Sequence, residues 1–484
     1  MISGPDIQSL LPIEILAGGM LFTMLGIAIK RNHTLAFIST LVTLAAAFGS
    51  AFFSWPQTPH AIGDLFRIDR FGSYFQALIL FATCIITFFS YISLRNFYPE
   101  RRKEEYYLLL LLATIGASTM VISTHFISFF VALEILNISL YALIGYYRER
   151  PSAIEAGIKY LILAAMSSAF LLFGMALIYT VTGALSFQAL ATVTPKLTAA
   201  AVTMLTGGIG LMLTGIGFKL ALAPFHLWAP DVYEGSSSPV SAFIATASKG
   251  AMVAILLRFF SMARFYDFKK IMLVFTVIAI LSMLGGNLLA LRQNNIKRML
   301  AYSSIAHFGY LLVAFIVGQA MGAQAAIFYL TAYTLTILSA FGLITLLSTS
   351  DKEATDIENY AGLFWKKPVF ATVFSVVLLS LAGIPLTAGF MGKFLVLTAG
   401  VGKGDWLLVL TLISSSVIGL FYYLRFIFAM MKTNGSDLSY LSSPSPISSR
   451  SSMTGMILLT ILGGAILWMG LFPTWLLVII KGLM

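Results

Sequence analysis

The sequence predicts an all-α membrane protein with about fourteen transmembrane helices. Three observations predict it. Of the 484 residues, 59% are hydrophobic and only 10% are charged, against roughly 25% charged in an ordinary soluble domain. So little polar surface cannot cover a water-soluble particle, which excludes a soluble enzyme. Apolar runs of about 20 residues, the length that crosses a hydrocarbon core ~30 Å thick, recur along the whole chain. Two of these runs combine a lysine with an interrupting proline, the pattern of a transporter whose broken helices carry an ion path at mid-membrane.

In chain order the spans begin near Ile13, Leu35, Tyr74, Tyr106, Phe126, Ile154, Ala201, Val240, Ile271, Met299, Ala323, Val369, Trp406 and Met453. The formal charge of +11 comes from lysines and arginines in small groups between the spans, such as Arg101, Arg102 and Lys103. These are loop charges facing a lipid bilayer, not a nucleic-acid stripe, and no nucleic acid partner is expected. Connections after odd-numbered spans hold roughly twice as many of them as the others, so the positive-inside rule places those connections in the cytoplasm and both termini outside. The stretch before the first apolar run has no basic region, so no cleaved signal peptide is expected.

The runs divide the chain into four parts. Residues 1–104 hold spans one to three, 105–265 hold spans four to eight, and 266–432 hold spans nine to thirteen. Residues 433–484 hold a Ser/Pro-rich loop, Thr433 to Ser452, and the last span. Spans four to eight and nine to thirteen are read as two inverted five-helix repeats, with spans seven and twelve broken. Span seven contains Gly217-Phe218-Lys219-Leu220-Ala221-Leu222-Ala223-Pro224. Span twelve, from Val369 to Ala399, would be about 46 Å long as a straight helix. A break at Gly383-Ile384-Pro385 takes up the surplus.

Cys84 is the lone cysteine, so an intrachain disulfide, a Cys-rich zinc site and an iron–sulfur cluster are all excluded. Gly208/Gly210 and Gly215/Gly217 begin a dinucleotide fingerprint, but Leu213 and Leu220 stand where its third glycine belongs, and no βαβ pattern surrounds them. Any redox chemistry therefore belongs to other chains.

What remains is a set of intramembrane charges. A lysine at a helix centre costs about 2.5–3.5 kcal/mol on insertion, while each leucine returns only about 0.3–0.6. Such a residue persists where it faces protein or water and has work to do. Lys219 lies about 13 Å inside its span, and a lysine stem reaches only roughly 6 Å, so it cannot snorkel to the headgroups. Glu134, in the fifth span, is its expected partner. Lys249 lies deep in the eighth span with no acid near it in sequence. Lys393 follows the break of the twelfth, and His307 sits mid-span between them in chain order. Lys159 is only a few residues into its span and is read either as functional or as snorkelling. Arg258 and Arg425 are read as span-end anchors, and His125 and His226 as span-end residues without an assigned role. Together the buried groups form a line of proton-carrying side chains. A lysine in low dielectric can exist charged or neutral, and an acid partner biases that choice.

The segments "GFKLALAPFHLWAPDVYEGSSSPVSAFIATASKGA", "RMLAYSSIAHFGYLL" and "LSLAGIPLTAGFMGKF" resemble the antiporter-like subunits of bacterial respiratory complex I, the proton-translocating NADH-quinone oxidoreductase. "PDVYEG" and "TAGFMGKF" favour subunit N among them. The resemblance extends over essentially the whole chain. Subunit L would continue into a long lateral helix, and subunit M would carry an acid at the position of Lys393. "EGSSSP" departs slightly from the small-Pro sequence of that loop.

The resemblance implies a fourteen-helix fold, a bacterial inner membrane location, and a place in the membrane arm beside antiporter-like paralogues. It matches Glu134 and Lys219 to the family's glutamate and lysine of the first repeat, Lys159, Lys249 and Lys393 to its further lysines, and His307 to its central histidine. FMN, iron–sulfur clusters and the quinone site are then expected on partner subunits. The fold and most motifs are shared by two alternatives, a sodium/proton antiporter subunit of the multi-subunit kind and a ferredoxin- or hydrogenase-linked relative.

Overall fold

The structure, a computed structural model, describes residues 4–53, 55, 58–97, 103–348, 353–432 and 449–483. Among them, thirteen helices are long and apolar enough to cross a membrane. The remaining span is the broken twelfth. The first three are α1 (Gly4–Ile29), α2 (His33–Phe53) and α3 (Arg70–Phe97). A short antiparallel hairpin, β1 (His60–Ile62) and β2 (Phe66–Ile68), stands between α2 and α3. The composition did not announce it.

Next come α4 (Glu105–Ile122), α5 (Phe126–Ile144), α6 (Pro151–Thr182), the short α7 (Phe187–Val193) and α8 (Ala199–Leu220). α8 ends on Ala221, held in the left-handed region at φ 57°. A non-helical stretch carrying Pro224 follows, and α9 (Trp228–Gly235) resumes the helix. The eighth span is α10 (Ser238–Phe243), a π-turn over Ile244–Ser248, and α11 (Lys249–Ala263). The π-turn has no counterpart among the breaks expected from the sequence, and such turns are frequent at functional sites.

The second half holds α12 (Lys269–Ala290), α13 (Ile296–Val317), α14 (Gln319–Leu347), the one-turn α15 (Leu363–Lys366), α16 (Pro368–Ala382), α17 (Ala388–Lys403) and α18 (Trp406–Met431). α19 (Ser449–Leu471) and α20 (Thr474–Lys481) follow. The gap between α16 and α17 is the expected break, entered through Gly383 at φ 82°. Most of the Ser/Pro-rich loop, 433–448, lies outside the described residues.

Small residues set the closest packing. A Cβ on Gly174 of α6 would stand 2.5 Å from the Gly208 carbonyl oxygen of α8, so only glycine lets these two backbones meet. The most apolar windows of the α10–α11 span and of α14 are buried throughout, whereas α1 and α2 bury a third or less of theirs. The bundle thus has a buried centre made of α10, α11, α13 and α14, which is where Lys249 and His307 sit.

Candidate functional site

Lys219 is the next-to-last residue of α8, two residues ahead of the left-handed cap. Its stem is buried, and its Nζ donates to Asn137 Oδ1 at 2.6 Å and to the Tyr160 hydroxyl at 3.0 Å. Its Nζ lies 5.7 Å from the centre of the Tyr160 ring, which packs against Phe218 and Trp228. Glu134, the expected partner, makes no direct ion pair with Lys219 among the described contacts. Asn137, one turn after Glu134 on α5, stands between them: its Nδ2 donates to Glu134 Oε1 at 3.2 Å. Ser168 of α6 donates to the same carboxylate oxygen at 2.5 Å. Carboxylate and ammonium are therefore joined through an amide.

Lys249 opens α11 directly after the π-turn and is 0% exposed. Its Nζ donates to Ser304 Oγ at 2.8 Å, and Ser304 also accepts from the Tyr333 hydroxyl at 2.7 Å. The ammonium lies 4.5 Å from the Phe308 ring centre. A desolvated cation gains from such a ring face. No carboxylate pairs with Lys249 among the described residues, in keeping with the sequence.

His307 lies one turn beyond Ser304 on α13. Its Nδ1 is 2.7 Å from the Tyr329 hydroxyl, and its Nε2 is 3.3 Å from that of Tyr423. Tyr423 is in turn bonded to Ser303 at 2.5 Å. One further turn along, Tyr310 stands 5.6 Å from the His307 ring, centre to centre, and presents its own ring 5.0 Å from Lys393 Nζ. Ser304, His307 and Tyr310 recur every three residues and so share one face of α13. That face leads from Lys249 to Lys393.

Lys393 reaches back across the break of its own span. Its Nζ donates to the carbonyls of Leu381 at 3.0 Å and Ala382 at 2.9 Å, and to Ser416 Oγ at 2.8 Å. The carbonyls closing a helix lack partners and carry partial negative charge, so a cation there is favoured. A broken helix thus creates the lysine's seat.

Lys159 is not part of this buried line. It is paired with Glu155 at 2.6 Å and Asp231 at 2.8 Å, and its side chain is 42% exposed. Arg298 reaches Asp231 and Glu234 from α13, so Lys159 belongs to a half-open charged cluster between α6, α9 and α13. Lys159, read either as functional or as snorkelling, is held by this pairing with Glu155 and Asp231.

Arg258 is also corrected. It is buried and forms a two-pronged pair with Asp69, at 2.8 and 2.7 Å, while its Nε donates to the Val121 carbonyl. Burial alone pushes the Asp69 carboxyl up, but the Arg258 charge and hydrogen bonds outweigh it and hold the group below the usual carboxylate range. Arg425 donates to the carbonyls of Leu291 and Gln293, just past α12. His125 caps α5 by accepting from the Ile127 amide, and His226 lies in the break of the seventh span.

Asn137, Tyr160, Ser168, Ser304, Tyr329, Tyr423 and Ser416 escaped the sequence reading. For Asn137 a signal was available. It lies three residues after Glu134 in an otherwise apolar run, and an amide buried there is costly unless bonded.

A multi-pass helical bundle with two broken spans and lysines buried beside the breaks defines an antiporter-like membrane protein. Residues 123–419 match the family described as NADH:quinone oxidoreductase/Mrp antiporter, transmembrane. A protein of Ectopseudomonas mendocina named NADH-quinone oxidoreductase subunit N is 44% identical over 423 residues, covering 86% of this chain and 85% of that one. A chain in the structure of respiratory complex I from Thermus thermophilus with bound aureothin superposes with a TM-score of 0.80 at 32% identity, covering 96% of this chain and 98% of that one. A chain of the Mrp complex from Dietzia superposes with a TM-score of 0.84 at 20% identity, over 98% of this chain and 96% of that one. That last likeness shows the fold alone. The chain belongs to this transmembrane family, in its NADH-quinone oxidoreductase subunit N branch.

Proposed function

We propose that this chain is a proton-translocating membrane-arm subunit of a bacterial NADH-quinone oxidoreductase. Lys219, biased by Glu134, exchanges a proton with Lys249, which passes it by way of His307 to Lys393. The carrying observation is the polar face of α13. Ser304 holds Lys249, His307 follows one turn on, and Tyr310 lies against Lys393. A structural salt bridge has no need of such a row, because each lysine here is held by neutral oxygens rather than by a direct carboxylate. The gaps between hydroxyls, imidazole and ammonium groups are crossed by bound water or by rotamer changes. Lys159, half-exposed and doubly paired, stands outside this path.

NADH oxidation and quinone reduction, with FMN and iron–sulfur clusters, belong to partner subunits. Their energy reaches this chain through its neighbours in the membrane arm, among them antiporter-like paralogues. Spans four to eight and nine to thirteen act as two inverted repeats, and the chain lies in the bacterial inner membrane with both termini outside.

The test is a pair of variants at Lys219. Lys219→Met removes the proton carrier and restores apolar character, and Lys219→Arg keeps a charge that cannot leave. Both are expected to lower proton pumping at least about tenfold in membranes, normalised to assembled complex, a loss of roughly 1.4 kcal/mol or more in transition-state terms. Normal pumping by Lys219→Arg overturns the carrier role. Exchange driven by a sodium gradient, without any electron donor, would instead support an antiporter subunit.

A further inference from the structure

The observation that the relay leaves unexplained is the amide between its first two members. Asn137 is buried, and it contacts both Glu134 and Lys219 where those two make no direct ion pair among the described contacts. An ammonium can only donate, so the amide atom 2.6 Å from Lys219 Nζ is the carbonyl oxygen Oδ1. That fixes Nδ2 toward the acid, where it donates to Glu134 Oε1 at 3.2 Å and to Ser168 Oγ at 3.4 Å. The amide dipole is therefore aligned with the charge pair, its negative end on the cation and its positive end on the anion.

We propose that Asn137 is the positioning residue through which Glu134 acts on Lys219, an amide coupler that transmits the carboxylate's charge without closing a salt bridge. This deepens the proton-carrier reading and rests on it. The physical logic is one of strength. A carboxylate directly on a buried lysine holds the ammonium so firmly that proton release becomes the difficult step. With no carboxylate in reach, nothing ties the lysine to the state of its partner. An amide between them keeps the interaction polarised and lets Glu134 bias Lys219 by an amount that a modest movement of the carboxylate can cancel. Ser168 and Tyr160 hold the two ends, on Glu134 and Lys219 respectively. Among the described residues, Asn137 alone is hydrogen-bonded to both.

The experiment is a double-mutant cycle in membranes containing the whole complex, reading protons pumped per quinone reduced and normalised to assembled complex. Asn137→Leu fills a similar volume but cannot bond. It is expected to lower coupled pumping about tenfold, the usual size of an energetic coupling between sites. In the parent, Glu134→Gln is expected to cause a similar loss. In the Asn137→Leu background it is expected to cause less than a twofold further loss, because its route to Lys219 is already cut. A residue that merely packs predicts independent, multiplying losses, and equal factors in both backgrounds overturn the inference.

Asn137→Asp keeps the shape and puts a carboxylate directly on Lys219. It is expected to lock the charge and behave as Lys219→Arg does, so an assembled Asn137→Asp complex pumping within twofold of the parent also overturns the inference, even where Asn137→Leu fails to assemble. Lys219→Met separates the two levels. If it pumps normally, the carrier reading falls and the coupler with it. If it stops pumping while Asn137→Leu pumps normally, only the coupler falls.

Discussion

Lys219 and Lys393 are both buried, yet they are held by different chemistry. Lys219 is bound by side chains, Asn137 and Tyr160, which can rotate. Lys393 is bound mainly by backbone, the last carbonyls of α16, and backbone cannot move without moving the helix. Gly383 keeps that seat open. It sits at φ 82°, and a Cβ there would stand 2.7 Å from Lys393 Cδ. Gly383→Ala should therefore strain the break by about 1–3 kcal/mol and push the ammonium off its carbonyls. We expect it to lower pumping at least about threefold in assembled complex. Pro385, by contrast, is exposed, and the helix has already ended at the glycine before the chain reaches it. Pro385→Ala should change pumping less than twofold, with a stability change under about 1 kcal/mol. The opposite ranking in a proton-pumping assay would show that the proline, not the glycine, makes the break.

At the scale of elements, the starts of α10 and α13 are fastened to one carboxylate. Glu353, in the connection between α14 and α15, accepts from the Ser238 amide at 3.1 Å and from Lys297 Nζ at 2.7 Å. Lys297 also donates to the Ser236 carbonyl. One buried pair thereby joins the eighth span, which carries Lys249, to α13, which carries the polar face. Burial pushes the Glu353 carboxyl up, but the Lys297 charge and hydrogen bond dominate and hold it below its ordinary value of 4.5. A carboxyl whose folded value is depressed stabilises the fold fully above its unfolded value. That contribution is lost as pH falls through the folded value. Thermal unfolding in detergent should therefore show a loss of stability that sets in below about pH 4.5 and continues downward. Glu353→Gln should flatten that loss and, at pH 7, destabilise the protein by about 3–5 kcal/mol, because Lys297 is left buried and unpaired. An unchanged melting temperature at pH 7 would show that the pair fastens nothing.

For the whole molecule the open quantity is orientation. The roughly twofold bias of lysine and arginine toward connections after odd-numbered spans predicts that a reporter fused after Met484 is external and that one inserted near Ser443 is cytoplasmic. The reverse pattern would invert the bundle and exchange the two sides of the relay. The number of crossings was legible in the sequence, because a stretch of about 20 apolar residues has only one stable place to be. Lys219, Lys249, His307 and Lys393 were legible for the same reason, since a titratable group in such a stretch is conspicuous whatever it touches.

Their partners were not legible. Serine and tyrosine are common in membrane helices, and Ser304 or Tyr423 acquires meaning only once the facing helix is known. Lys159 and Arg258 show the same limit. Depth along a span can be counted, but whether a side chain finds an acid on another helix cannot, and Asp231 and Asp69 lie 72 and 189 residues away in the chain. The sequence by itself thus determined the membrane class, the spans, the two breaks and the buried charges, because hydrophobicity and chain stiffness are local properties. Tertiary structure alone decided that Asn137 stands between Glu134 and Lys219, that the end of α16 seats Lys393, and that one face of α13 joins Lys249 to His307. Those are distances between helices, and they are set by how side chains and glycines pack across the bundle rather than by any residue's own preference.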